Sequence, residues 1–421
     1  MTLRKAGGNW VDGDRFFDRD AELEALTERV QDGVHTLLTA QRRMGKTSLV
    51  RELLRRLKSE GCFETIFVDL EGALTKEDAI AEIASRSCSI QKVWQRMKTQ
   101  FANHLQNIGD RIDEVEVSEV KVKLRAGINP GDWRQRGDEV FAALAENDLP
   151  VVLAIDELPI LVNRLLKGDD YCITPQRRQV VDEFLSWLRK NGQEHQRRIC
   201  LILSGSVGLE PILQQAGLSA HANIFSPFDL KPWDEETASA CLAALAGTYG
   251  IDLPLTVRQD MCCRLRCQIP HHVQQFFDYL HEDLRRVNRR EASLEDVKRV
   301  YTNEMLGVRG QMALEHYESR LRMVLGDKGY PAALSILTEA AVNDGLLHSD
   351  AINQYYEQFQ AEADPVSTKE ILSVLEHDGY LARQGEDYRF VSGLLEDWWC
   401  ARHGRYFSPI ACRRAKMRGK R

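Results

Sequence analysis

Apolar residues fall into two regimes along the 421-residue chain, with a change near residue 230. In the first regime, helical and strand-like patterns alternate. Residues 20–32 (DAELEALTERVQD) set Leu23, Leu26 and Val30 at helical spacing. The short run VHTLLTA (34–40) predicts a buried strand, and TSLVRELLRRLKSEG (47–61) predicts a helix that ends at Gly61. TIFVDLEG (65–72), PVVLAIDE (150–157) and RICLILSGS (198–206) read as three further buried strands, with helical stretches at 76–105 and 176–192. Continuous apolar runs separated by helices predict a mostly parallel α/β sheet.

One segment breaks this rhythm. VEVSEVKVKLRAG (115–127) alternates at period two through Val115, Val117, Val120, Val122 and Leu124, which predicts a β insertion, a long strand or tight hairpin, around 113–127. After about residue 233 the pattern is helical. It closes with helices over 331–403 that frame a short hairpin, DGYLARQGEDYRFVS (378–392), and a last helix bearing Trp398 and Trp399. Helices followed by a two-stranded wing are the order of a winged-helix module. The expected division is a sheet domain over 1–230, a helical lid over 231–315, a winged helix over 316–405 and a basic tail over 406–421.

Composition narrows the classes. With 43% hydrophobic and 28% charged residues the chain is ordinary globular material. No apolar run approaches the roughly 18 residues of a membrane span, and the start MTLRKAGGNW lacks the apolar stretch of a signal peptide, so a cytoplasmic protein without membrane partners is expected. Ten scattered cysteines, several inside apolar patterns, read as free thiols rather than a disulfide framework. The net charge of −7 argues against a strongly basic nucleic-acid binder. Yet the last 17 residues hold seven Arg or Lys and no acid, a stretch suited to phosphate backbones or an acidic partner, or simply to solvation.

The chemical signal sits between the first strand and its helix, in Ala40-Gln-Arg-Arg-Met-Gly45-Lys46-Thr47-Ser48. A P-loop needs backbone N–H groups curled around phosphates, a lysine for the β and γ oxygens and a hydroxyl for Mg²⁺. Arg43, Met44, Gly45, Lys46, Thr47 and Ser48 supply these, with Ala40 in place of the first glycine. The strand 150–157 delivers Asp156 to its carboxyl end, where such a fold keeps its Mg²⁺-organising acid, and Glu157 is placed to polarise an attacking water. The next strand ends in Ser204-Gly205-Ser206, of which Ser204 or Ser206 is a candidate reporter of the γ-phosphate.

On these residues the chain resembles the prokaryotic AAA-type ATPases often called archaeal ATPases, a group related to the STAND signalling NTPases and to origin-recognition initiators. Phe16-Phe17-Asp18-Arg19-Asp20-Ala-Glu22-Leu23 is similar to their F-x-x-R-E-x-E-L entry segment, and the P-loop, the Asp-Glu strand, the SGS strand and the C-terminal helix over 388–399 match as well. The resemblance implies an ASCE/AAA-type sheet with a helical lid and a C-terminal winged helix. It implies that residues 16–19, with Phe17 and Arg19, border the adenine. It also implies that the lid's G-x-P touches the nucleotide, here Gln268-Ile269-Pro270 with only Pro270 kept. Asp20 stands where the family carries Glu, so with Ala40 and Gln268 three small departures surround one pocket, an expectation of slow turnover.

The expected function is ATP binding and hydrolysis with Mg²⁺ held through Thr47 and Asp156, driving a switch between ATP and ADP states. The output is read as DNA engagement by the winged helix and tail in a mobile-element or defence context. The alternative is a signalling or scaffold NTPase whose winged helix binds a protein effector; a homo-oligomer is open in both. Arg177, Arg178, Arg197, Arg198, Arg264 and Arg266 are candidates for a transition-state arginine, while Arg42 and Arg43 are expected to face solvent or a partner. Cys262, Cys263, Cys267, His271 and His272 lack the paired spacing of a zinc site and read as core or pocket lining. Trp398 and Trp399 read as core.

Overall fold

The computed structural model describes residues 2–6, 10–101, 105, 116–360 and 367–413. The chain divides into two compact units, one of Met1–Asp18, Ala40–Gly45 and Lys231–Arg421, the other of Arg19–Thr39 and Lys46–Leu230. The turn that follows the first strand thus packs with the C-terminal residues, although the strand and helix on either side of it belong to the other unit.

The second of these units is built on a five-stranded parallel sheet. Its strands are β1 (Thr36–Thr39), β2 (Glu64–Asp69), β3 (Val151–Asp156), β4 (Ile199–Ser204) and β5 (Ser226–Asp229), in the order β2-β3-β4-β1-β5. Every residue of β3 and β4 is buried, as continuous Val, Leu and Ile runs require when helices cover both faces. The register sets Asp69 beside Asp156 and Leu38 beside Ser204, so the carboxyl ends of β2, β3, β4 and β1 form one rim. Among the covering helices, Pro175–Glu194 packs Phe184 and Trp187 against Trp133. Lys76–Ser87 begins in a capping box of Thr75 and Asp78.

As far as it is described, the stretch 76–105 is helical in two pieces, Lys76–Ser87 and Gln91–Gln100, parted at Cys88–Ile90. One sequence expectation fails here. The segment expected to form a β insertion is a helix, Glu116–Ala126, as far as it is described; residues 106–115 lie outside the described residues. Val120 and Leu124 are four apart and both buried, while Val122 between them is 69% exposed, which is a helix stripe and not a strand face. Lys121 pairs with Glu82 at 2.5 Å and Arg125 with Asp78, both on the helix Lys76–Ser87, and this tertiary pairing outweighs the strand preference of the valines.

The other unit is helical: Glu235–Tyr249, Leu255–Leu265, Pro270–Arg286, Leu294–Val300, and Val308–Val342 with a break at Gly326, whose φ is 67°. A small antiparallel sheet follows, with β6 (Leu346–Leu347), β7 (Leu381–Gln384) and β8 (Asp387–Phe390) in the order β6-β8-β7. Helices Ser349–Gln360 and Thr368–His377 lie between β6 and β7, and Gly393–Trp399 follows β8. Trp398 and Trp399 are fully buried, the latter donating to the Thr338 hydroxyl at 3.2 Å. The expected tail is not a solvated arm from residue 406: Ile410 is buried and its N–H donates to Glu339 at 2.9 Å. Residues 414–421, the rest of that stretch, lie outside the described residues. All ten cysteines are free, and no described helix is long and apolar enough to cross a membrane.

Candidate functional site

The rim at the carboxyl ends of the parallel strands gathers the chemistry. β1 ends at Thr39, residues 40–45 turn, and the helix Lys46–Glu60 begins. Gly45 takes φ +87°, and a Cβ placed there would meet only open space, so backbone conformation and not crowding calls for glycine. The first turn of the helix that follows contains no acid, which leaves its positive end unopposed for an anion. Lys46 and Ser48 are buried, and Thr47 is half-buried.

Asp156 is the centre of the cluster. It is 5% exposed, and its carboxylate accepts from three donors: the Thr47 hydroxyl on Oδ2 at 2.7 Å, the Ser204 hydroxyl on Oδ1 at 2.7 Å and the Glu157 N–H on Oδ1 at 3.0 Å. Three adjacent elements therefore converge on one carboxylate, and each arrives from the expected place in the sequence. Neighbouring Glu157 adopts a left-handed backbone, φ 59° and ψ 24°, just before the helix Leu158–Lys167. Its Oε2 accepts both the N–H and the hydroxyl of Ser206, at 2.9 and 3.0 Å. The sequence left Ser204 and Ser206 as rivals for one role; the structure gives each its own acid. The signal was their spacing of two across a glycine, which lets both ends of one turn reach the neighbouring strand's end.

A third carboxyl escaped the sequence reading. Asp69 ends β2 in register with Asp156 and takes the Glu71 N–H at 2.8 Å. Its residue is exposed overall, yet loss of water around the carboxyl, and after it the charge of Asp156, push it above the usual carboxylate range against that hydrogen bond.

The remaining predicted residues are placed as follows. Within the sheet unit, Arg19 is buried with a left-handed backbone and donates to Glu22 at 2.6 Å. Arg177 donates to the carbonyls of Lys167 and Cys172, and Arg198 to that of Ala145, while Arg178 reaches Gly217 O at 3.2 Å and Arg197 is exposed. Within the other unit, Phe17 meets Trp233 edge to face at 5.7 Å. Pro270 starts the helix Pro270–Arg286, and Gln268, where the family has glycine, is buried with its amide on Cys262 O at 3.0 Å. Arg264 pairs with Asp260 and Arg266 with Glu396. Cys262, Cys267 and His272 are buried, His271 is half-buried and Cys263 is exposed.

In the same unit, residues of the turn 40–45 are bound from far along the chain. Gln41, itself buried, donates its amide to Gly379 O at 2.7 Å, and the Tyr317 hydroxyl reaches Arg42 O at 3.4 Å. Tyr380 in turn donates to Tyr317 O at 2.7 Å. Arg42 and Arg43 are half-buried, and Met44 is buried. Nearby arginine charge, added to burial as the larger cause, holds His271 and His272 below the usual histidine range, His272 down to about 3.

Solved structures that share this fold over nearly their whole length include two from archaea. The Walker-type ATPase of Pyrococcus abyssi superposes with a TM-score of 0.56 at 17% identity, over 91% of this chain and 96% of that one. The ORC2 protein of Aeropyrum pernix, solved in ADPNP and ADP complexes, gives 0.52 at 13%, over 96% and 98%. The fold is that of the AAA-type P-loop ATPases. No protein-family model and no curated protein matches the sequence. The parallel sheet is as the sequence predicts, with Asp156 the last residue of β3.

Proposed function

We propose that the protein binds ATP with Mg²⁺ and hydrolyses it, using the AAA-type fold as a nucleotide switch. The observation that carries this is the convergence of the Thr47 and Ser204 hydroxyls on the buried Asp156 carboxylate, beside the helix that opens with Lys46. Hydroxyl and carboxylate oxygens are the hard donors that Mg²⁺ prefers, so the residues present fit that ion. When bound, the ion neutralises charge on the phosphates. Thr47 would hold it, with Asp156 ordering its surroundings. Lys46 binds the β and γ oxygens, and Glu157 orients the attacking water. The adenine roles of Phe17, Arg19 and Pro270 belong to the same proposal.

The output we propose is engagement of duplex DNA by the C-terminal helices and hairpin, read as a winged helix, with the cations of 405–421 on the backbone. Helix order and the basic stretch support it; the net charge of −7 supports the alternative, a protein effector. Steady-state ATP hydrolysis at low salt, with and without duplex DNA, tests both levels. Turnover stimulated by DNA is the expected result. Turnover indifferent to DNA moves the output to a protein partner, and no binding of ATP overturns the whole reading.

A further inference from the structure

We propose that Ser206 is a positioning residue for Glu157, holding its carboxylate in the orientation that addresses water; this rests on the hydrolysis reading above. Both donors of Ser206 meet one oxygen, Oε2, so the carboxylate is fixed in direction as well as in place. Two further features accompany that contact. The backbone of Glu157 is turned into the left-handed region, uncommon for a residue with a side chain, and this carries the carboxylate toward the end of β4. Gly205 lies flat against the start of the next helix: a Cβ there would come within 2.5 Å of Pro159 Cδ and 3.5 Å of Glu157 Oε2. Only glycine lets the strand end approach closely enough for Ser206 to reach.

The two serines thus divide the work. Ser204 sits at the end of β4 and serves the acid assigned to the metal, while Ser206, two residues on, serves the acid assigned to water. A water-orienting group must be kept within about 0.5 Å of its productive place, and side chains are locked to that tolerance by hydrogen bonds behind them. Ser206 is half-buried, and its N–H and its hydroxyl both donate to Glu157.

The test is steady-state kinetics of the full chain carrying Ser206→Ala or Ser206→Thr, with ADP affinity measured separately as a check on the fold. Loss of one donor to a charged group predicts a roughly tenfold lower kcat for Ser206→Ala, with KM and ADP affinity unchanged. Ser206→Thr, which keeps the hydroxyl, should stay within about threefold of wild type. A Ser206→Ala variant with wild-type or faster turnover overturns the proposal, as does failure of threonine to rescue. A wild-type chain that binds ATP and never turns it over refutes hydrolysis itself, and this role with it.

Discussion

Removing the Ser204 hydroxyl should loosen the sheet at its centre before any nucleotide is present. Ser204 is 1% exposed, and its Oγ donates to an Asp156 carboxylate that is 5% exposed, at 2.7 Å. A hydrogen bond to a charged group contributes about 1.5–3 kcal/mol, and a buried carboxylate that loses a donor suffers most of that loss. Two donors remain on Asp156, from Thr47 and the Glu157 N–H, so the lower half of the range applies, about 2 kcal/mol. The small void left by one oxygen adds little. Hydrogen exchange of the β3 and β4 amides reads the change locally, where a global melt would average it over two units. Ser204→Ala should speed exchange of those amides by about thirtyfold, the factor that 2 kcal/mol gives, and leave amides of Pro270–Arg286 untouched. Protection within twofold of wild type in β3 and β4 would mean that Asp156 is not held through Ser204.

Lys46→Ala should abolish ATP binding in calorimetry, and unchanged affinity would remove the P-loop assignment. Glu157→Gln should bind ATP as wild type does and stop releasing phosphate; normal turnover would exclude it as the water-orienting group. Deleting 414–421, which carries five of the seven terminal cations, should weaken duplex binding and flatten its salt dependence while sparing ATP affinity, since Ile410 and its contact with Glu339 are left in place. Acid should act through Glu318. The His403 ring beside it, with the Tyr330 hydroxyl and Arg402, holds its carboxyl down to about 2 against partial burial. A depressed carboxyl stabilises the fold above its unfolded value, and that share is lost as pH falls from about 4.5 toward 2. Urea unfolding should show the wild type losing about 2 kcal/mol more over that window than Glu318→Gln, after allowance for solvent screening. Parallel curves would dismiss the depressed carboxyl.

The parallel strands were legible because burial on both faces leaves no alternation to misread, and β3 and β4 carry unbroken apolar runs. Asp156 was legible for the same reason: a charged residue closing such a run must sit at a strand end. Glu116–Ala126 was not, because valine spacing suits either period over a few residues, and what decided it, Glu82 and Asp78, lies some forty residues upstream in a helix whose placement is tertiary. The same limit hid the pairing of Ser206 with Glu157, which depends on a backbone turned left-handed at one residue. Asp69 was missed because β2 reads as a strand whichever strand it neighbours, and only its place beside β3 makes its carboxyl part of the rim.

The amide of Gln41 and its acceptor at Gly379 are 338 residues apart. A nascent chain that has emerged as far as residue 230 already holds Lys46, Thr47, Asp156 and Glu157, and could lay down all five parallel strands. The turn that would wrap the phosphates still lacks the carbonyl and the two tyrosines on which it rests. Translation therefore sets an order of events: the sheet can form early, but the loop's supports arrive only once residue 380 has left the ribosome. On the proposed function, a half-made chain would be poorly equipped to capture nucleotide, and loading would wait for the polypeptide that is to respond to it.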